Sequence, residues 1–119
     1  MRKILAIAFL AIASAALAHP ASGIELEFDA GDHLLTVTIE HSVKDPAKHH
    51  IDEVAVSLNG DEIITQKCKT QTDGDYLVVQ YIIPDAKVGD EIEVMANCNK
   101  FGKEKEELTV KPAEDETEE

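Results

Sequence analysis

The chain is 119 residues long, 44% hydrophobic and 29% charged, with 4% aromatic residues and no Trp. One small domain with a core of Val, Ile and Leu fits that length; a multidomain protein, a transmembrane bundle and a disulfide-dense miniprotein do not. The formal charge of −13, from 24 acidic and 11 basic side chains, opposes binding to nucleic acid and to anionic membrane surfaces, whose phosphates it would repel.

In chain order, the first segment reads as an export signal. Arg2 and Lys3 give a basic start, residues 4–17 form an apolar run, and Ala16-Leu17-Ala18 fits the small-x-small cleavage rule. The run is too short for a comfortable membrane span. Cleavage after Ala18 would place a protein starting at His19 in the periplasm or outside the cell, with no membrane attachment. It would remove two bases and leave a charge of −15. Residues 19–112 then form the folded domain. Residues 113–119 carry five acids in seven positions and read as a solvated, disordered tail.

Within the domain the period is two, the signature of half-buried strands. Ile24, Leu26 and Phe28 alternate with Glu25 and Glu27, and Leu35, Val37 and Ile39 alternate with Thr36, Thr38 and Glu40. Ala30-Gly31-Asp32 separates these two strands, and His33 belongs to that turn. Val54, Val56 and Leu58 mark a third strand. Asn59-Gly60 predicts a tight hairpin that pairs residues 54–58 with 62–66, since both turn residues tolerate positive φ. Further strands are predicted at 76–83, 91–97 and 107–110. The acids Glu25, Glu27, Glu91 and Glu93 read as wet strand faces. About seven strands and no helix predict an all-β fold, an antiparallel β-sandwich of immunoglobulin-like type. The connection 41–50 is too long and polar for a simple turn.

Five His and two Cys carry the candidate chemistry. Alternation puts His41 on the face of Leu35, Val37 and Ile39, and puts Cys98 on the face of Ile92, Val94 and Ala96. Two metal-binding side chains thus stand at strand ends on inward faces. His49 and His50 open the strand after the long connection.

The stretch His41-Ser42-Val43-Lys44-Asp45-Pro46-Ala47-Lys48-His49-His50-Ile51-Asp52-Glu53-Val54 resembles the H-P-x(n)-H-[HY]-I-x-x-[IV] segment of desulfoferrodoxins and neelaredoxins, the superoxide reductases. Ser42 stands where that pattern has Pro. Cys98-Asn99-Lys100-Phe101-Gly102 resembles their C-N-x-H-G, with Phe101 in place of the last His. His19, followed by Ile24-Glu25, is similar to their H-x-P-x-I-E stretch. The resemblance runs from about residue 19 to residue 110. It implies one mononuclear, non-haem Fe(II) held by equatorial imidazoles and an axial thiolate, with an open position for superoxide. Superoxide would be reduced to hydrogen peroxide, and an external electron donor would restore Fe(II). His19, His41 and His49 would be the imidazole ligands and Cys98 the thiolate. His50 would not be a ligand. Phe101 leaves the set one imidazole short. A water, His33, or the free α-amine of a cleaved His19 would complete it; otherwise the site is inactive.

Other readings of the same residues stand beside this one. His41 and His49 also fit as ordinary polar residues flanking a loop. In an oxidising compartment Cys98 also fits a disulfide with Cys68, whose neighbours Lys67 and Lys69 would otherwise lower its pKa and make it reactive. Lys48, beside His49, fits a catalytic residue that attracts superoxide, or a solvated loop lysine. Three functions follow: an exported superoxide reductase-like enzyme, a non-catalytic iron or copper protein that uses the His19 terminus, and a metal-free binding module with a Cys68–Cys98 bridge.

Overall fold

Alternating apolar side chains need two surfaces to bury against, and the chain supplies both as sheets. A computed structural model describes residues 19–113. The proposed export signal, and the acidic tail beyond Ala113, lie outside the described residues. The strands are β1 (Gly23–Asp29), β2 (Leu34–Glu40), β3 (Ile51–Leu58), β4 (Asp61–Lys67), β5 (Tyr76–Ile82), β6 (Glu91–Cys98) and β7 (Lys103–Thr109). They form a three-stranded sheet, β1-β2-β5, and a four-stranded sheet, β4-β3-β6-β7, all antiparallel. There is no helix among the described residues. The fold is an all-β sandwich, as the period-two pattern predicts.

Leu35, Val37 and Ile39 of β2 face Val54 and Val56 of β3 and Ile92, Val94 and Ala96 of β6 across the core, each fully buried. The Asn59-Gly60 hairpin forms as predicted, with both residues at positive φ. Two strands depart from the predicted bounds by more than one residue. β3 starts at Ile51 rather than residue 54, because a register shift between Ile51 and Glu53 breaks the alternation that marks a strand. β7 starts at Lys103 rather than residue 107. It is an edge strand of alternating Lys and Glu with only Leu108 half-buried, so apolar periodicity does not report it.

This topology collects one end of the sandwich. The buried row of β2 runs into His41, and the buried row of β6 ends at Cys98, which pairs with Ile51 at the start of β3. His49 immediately precedes that strand. His33 lies beyond the other end of β2, roughly 25 Å from His41 at strand spacing. There it has φ of 57° and packs its ring edge-on to Phe28. His33 is a turn residue, and it cannot complete a site at His41.

Candidate metal centre

Three separate devices bring the site residues together. The first folds the connection 41–50 back on itself. The Asp45 carbonyl accepts the Lys48 and His49 N–H groups, both at 2.9 Å, and the Asp45 Oδ1 accepts the Ala47 N–H at 3.1 Å. The second is Asn99, which ties this loop to the end of β6. Its Oδ1 accepts the His50 N–H at 2.9 Å, and its Nδ2 donates to the Lys48 carbonyl at 3.0 Å. The third pins the N-terminal segment. Ser22 N–H donates to the Glu40 carbonyl at 2.8 Å, and Pro20 packs against Gly102. A Cβ on Gly102 would stand 2.9 Å from Pro20 Cβ, so this turn needs glycine for space as well as for its φ of 90°.

The result brings the His41, His49 and Cys98 donors together, with the His19 ring packed against both imidazoles but outside that donor set. The His19, His41 and His49 ring centroids lie 5.0, 5.4 and 4.9 Å apart, every pair edge-to-face. One donor atom from each of His41, His49 and Cys98 lies within 4.8 Å of the others. Donors on opposite sides of one ion stand about 4.3 Å apart, so a small side-chain adjustment closes this set around a metal. His41 has no solvent exposure and Cys98 is 3% exposed.

Hydrogen bonds prepare these donors. Gln71 Oε1 faces His41 Nδ1 at 2.6 Å and accepts the Ile51 N–H at 3.1 Å. Gln71 Nε2 donates to the carbonyls of His41 and Asp73 at 3.0 and 3.2 Å. The amide is therefore oriented by four contacts, and its oxygen takes the hydrogen of His41 Nδ1. The other ring nitrogen, His41 Nε2, faces the His19 carbonyl oxygen at 3.1 Å, so both nitrogens of this ring lie against oxygen acceptors. In the same way His19 Nδ1 donates to the Pro20 carbonyl at 2.9 Å, which leaves Nε2 as its donor nitrogen. His49 Nε2 is buried without a hydrogen-bond partner. Burial, reinforced by the neighbouring His41, His19, Lys100 and His50, lowers the pKa of His49 and favours the neutral, metal-binding ring. The Lys100 N–H donates to Cys98 Sγ at 3.4 Å. A buried nitrogen with no partner, two oriented imidazoles and a hydrogen-bonded sulfur suit a borderline transition metal.

Both cysteines are free. The alternative Cys68–Cys98 bridge does not form, because β3 lies between the strands that end at each residue. Two strand spacings put the Cα atoms roughly 9.5 Å apart, beyond the reach of a disulfide. Nor is Cys68 activated by its lysines. Burial, with the nearby Asp52 carboxylate, raises its pKa, and Lys67 is held by Glu53 at 2.8 Å.

A cavity of 420 Å³ opens beside the cluster, lined in part by His19, His49, Ser42, Lys44, Asp45 and Lys48. Lys48 stands where a charged rim residue would act. Phe101 is 62% exposed on the β6–β7 connection and offers no donor. His50 lies outside the donor set and lines a separate cavity with Cys68. Gln71 and the clamping role of Asn99 escape sequence reasoning. A lone Gln in a polar loop carries no spacing signal, and only the folded chain brings it to His41. Comparison with protein-family models, characterised proteins and solved structures found no match.

Proposed function

We propose that this chain holds one mononuclear iron ion through His19, His41, His49 and Cys98 and acts as an exported reductase of superoxide. The observation that carries the reading is the convergence of His41, His49 and Cys98, remote in sequence, with donor atoms inside 4.8 Å. Ferrous iron bound there would supply the single electron that takes superoxide, after proton uptake, to hydrogen peroxide, with its reactivity tuned by the thiolate.

The chain's own residues supply the rest. Gln71 and Pro20 orient the imidazoles of His41 and His19, so the donor nitrogens are set before a metal arrives. Burial of His41 and Cys98 keeps bulk water from one side of the site. The open cavity admits a small anion from the other side, where Lys44 and Lys48 offset the repulsion of an acidic protein.

The experiment is anaerobic Fe(II) loading followed by superoxide challenge. The proposal expects one iron per chain, a thiolate-to-iron charge-transfer band on oxidation, and superoxide loss without oxygen release. Cys98→Ser should abolish the band. Stoichiometric iron with no superoxide consumption would favour a non-catalytic iron or copper carrier instead, a reading supported by the imidazole missing at Phe101.

A further inference from the structure

β5 differs from the other strands in what it exposes. It is the only one of the seven described strands without a charged residue, in a chain that is 29% charged. Its outward row is Tyr76, Val78, Gln80 and Ile82, with Val78 42% and Ile82 62% exposed. It also ends the three-stranded sheet, so one side of its backbone faces no neighbouring strand. The other edge strands are blunted. β7 alternates Lys and Glu, and β4 carries Asp61, Glu62 and Lys67 together with a register shift. β1 carries Glu25, Glu27 and Asp29 and lies against β7.

Hydrogen bonds fix which backbone groups of β5 point to the open side. Thr72 Oγ1 accepts the Val78 N–H at 2.9 Å, and Asp73 Oδ1 accepts the Tyr76 N–H at 2.9 Å. The direction alternates along a strand, so the N–H groups of Gln80 and Ile82 point the same way as that of Val78. Neither meets an acceptor among the described residues. The chain therefore caps the first half of this edge with its own loop and leaves the second half open.

We infer that the open half of β5 is a contact between two copies of this chain, paired antiparallel about a two-fold axis at Gln80. The row is apolar on either side of Gln80, so it complements itself when turned about that residue. Gln80 then stands opposite Gln80 of the second copy, and Val78 stands opposite Ile82 of the second copy, an apolar pair made twice. Each Gln80 N–H donates to the opposite Gln80 carbonyl, and each Ile82 N–H to the opposite Val78 carbonyl. The two three-stranded sheets become one continuous sheet. Charge favours this place for a second copy. Two molecules of formal charge −13 repel each other, and the strand without charge is where their backbones meet with least repulsion.

The test follows purified protein from micromolar to millimolar concentration by sedimentation velocity and by residue-resolved amide exchange. The expected result is a monomer–dimer equilibrium in which exchange slows at Gln80 and Ile82 as dimer forms. Tyr76, held by Asp73 and outside the paired stretch, should not change. Gln80→Lys sets two ammonium groups against each other across the axis and should weaken the dimer about fivefold. The same substitution makes each copy less acidic, so an association governed by net charge alone would strengthen instead. Protein that stays monomeric at millimolar concentration would overturn the inference and leave the edge free for a strand of another protein. A dimer in which Gln80 and Ile82 still exchange freely, or one that Gln80→Lys does not weaken, would overturn it in favour of a different face.

Discussion

Gln71 holds Nδ1 of His41 in a hydrogen bond, so a cation at this site would meet the ring through Nε2, out of reach of Gln71. Its amide is locked by the Ile51 N–H and by two carbonyls, so it cannot turn to offer His41 a donor instead. Gln71→Ala should therefore lower metal affinity about 10–100-fold while leaving all proposed ligands in place, measured by competitive metal titration. His49 gives a second expectation. Burial holds its folded-state pKa below the ordinary 6.5, near which the unfolded chain titrates. Below about pH 6.5 the unfolded state binds the additional proton, so the metal-free protein should lose stability as pH falls from 7 toward 5. Thermal melts should show this fall, and His49→Gln should reduce it. At this scale the sequence was informative where a donor ends an alternating row. His41 and Cys98 inherit their inward direction from Ile39 and Ala96, two positions earlier. Gln71 belongs to no row, and its contacts span 20 and 30 residues.

The elements matter through how their ends meet. β2, β3 and β6 were legible because each carries buried Val, Ile or Leu at period two. β7 was legible only near Leu108, since an edge strand of charged residues has no buried face to announce it. The β6–β7 connection is where fold and site depend on each other. Gly102 has a positive φ and lies against Pro20, one residue from His19. Gly102→Ala forces a Cβ into the left-handed region and into the proline ring, at a cost of about 1–2 kcal/mol for the backbone alone. Denaturant unfolding of the metal-free protein should show that loss. Displacement of Pro20 should also move His19, so metal affinity should fall by more than the stability change requires. An Ala variant that binds metal as wild type does would mean that Pro20 does not position His19.

Over the whole molecule, charge opposes the proposed substrate. A formal charge of −13 repels superoxide at long range, and the lysines beside the cavity act only at short range. Lys48→Glu should reduce the second-order rate with superoxide about tenfold at low ionic strength, and the gap should narrow as salt screens both fields. Stopped-flow or pulse-radiolysis rates across a salt series would read this directly. A rate unchanged by the substitution would make Lys48 a solvated loop residue.

Metal analysis of anaerobically purified protein, beside its Cys98→Ser and His41→Ala variants, tests the central claim most directly. The account predicts one iron per chain in the wild type, with X-ray absorption showing one sulfur among nitrogen and oxygen donors, and loss of that sulfur or of the ion in the variants. Wild-type protein that takes up no stoichiometric metal, or binds it equally well without Cys98 and His41, would contradict it.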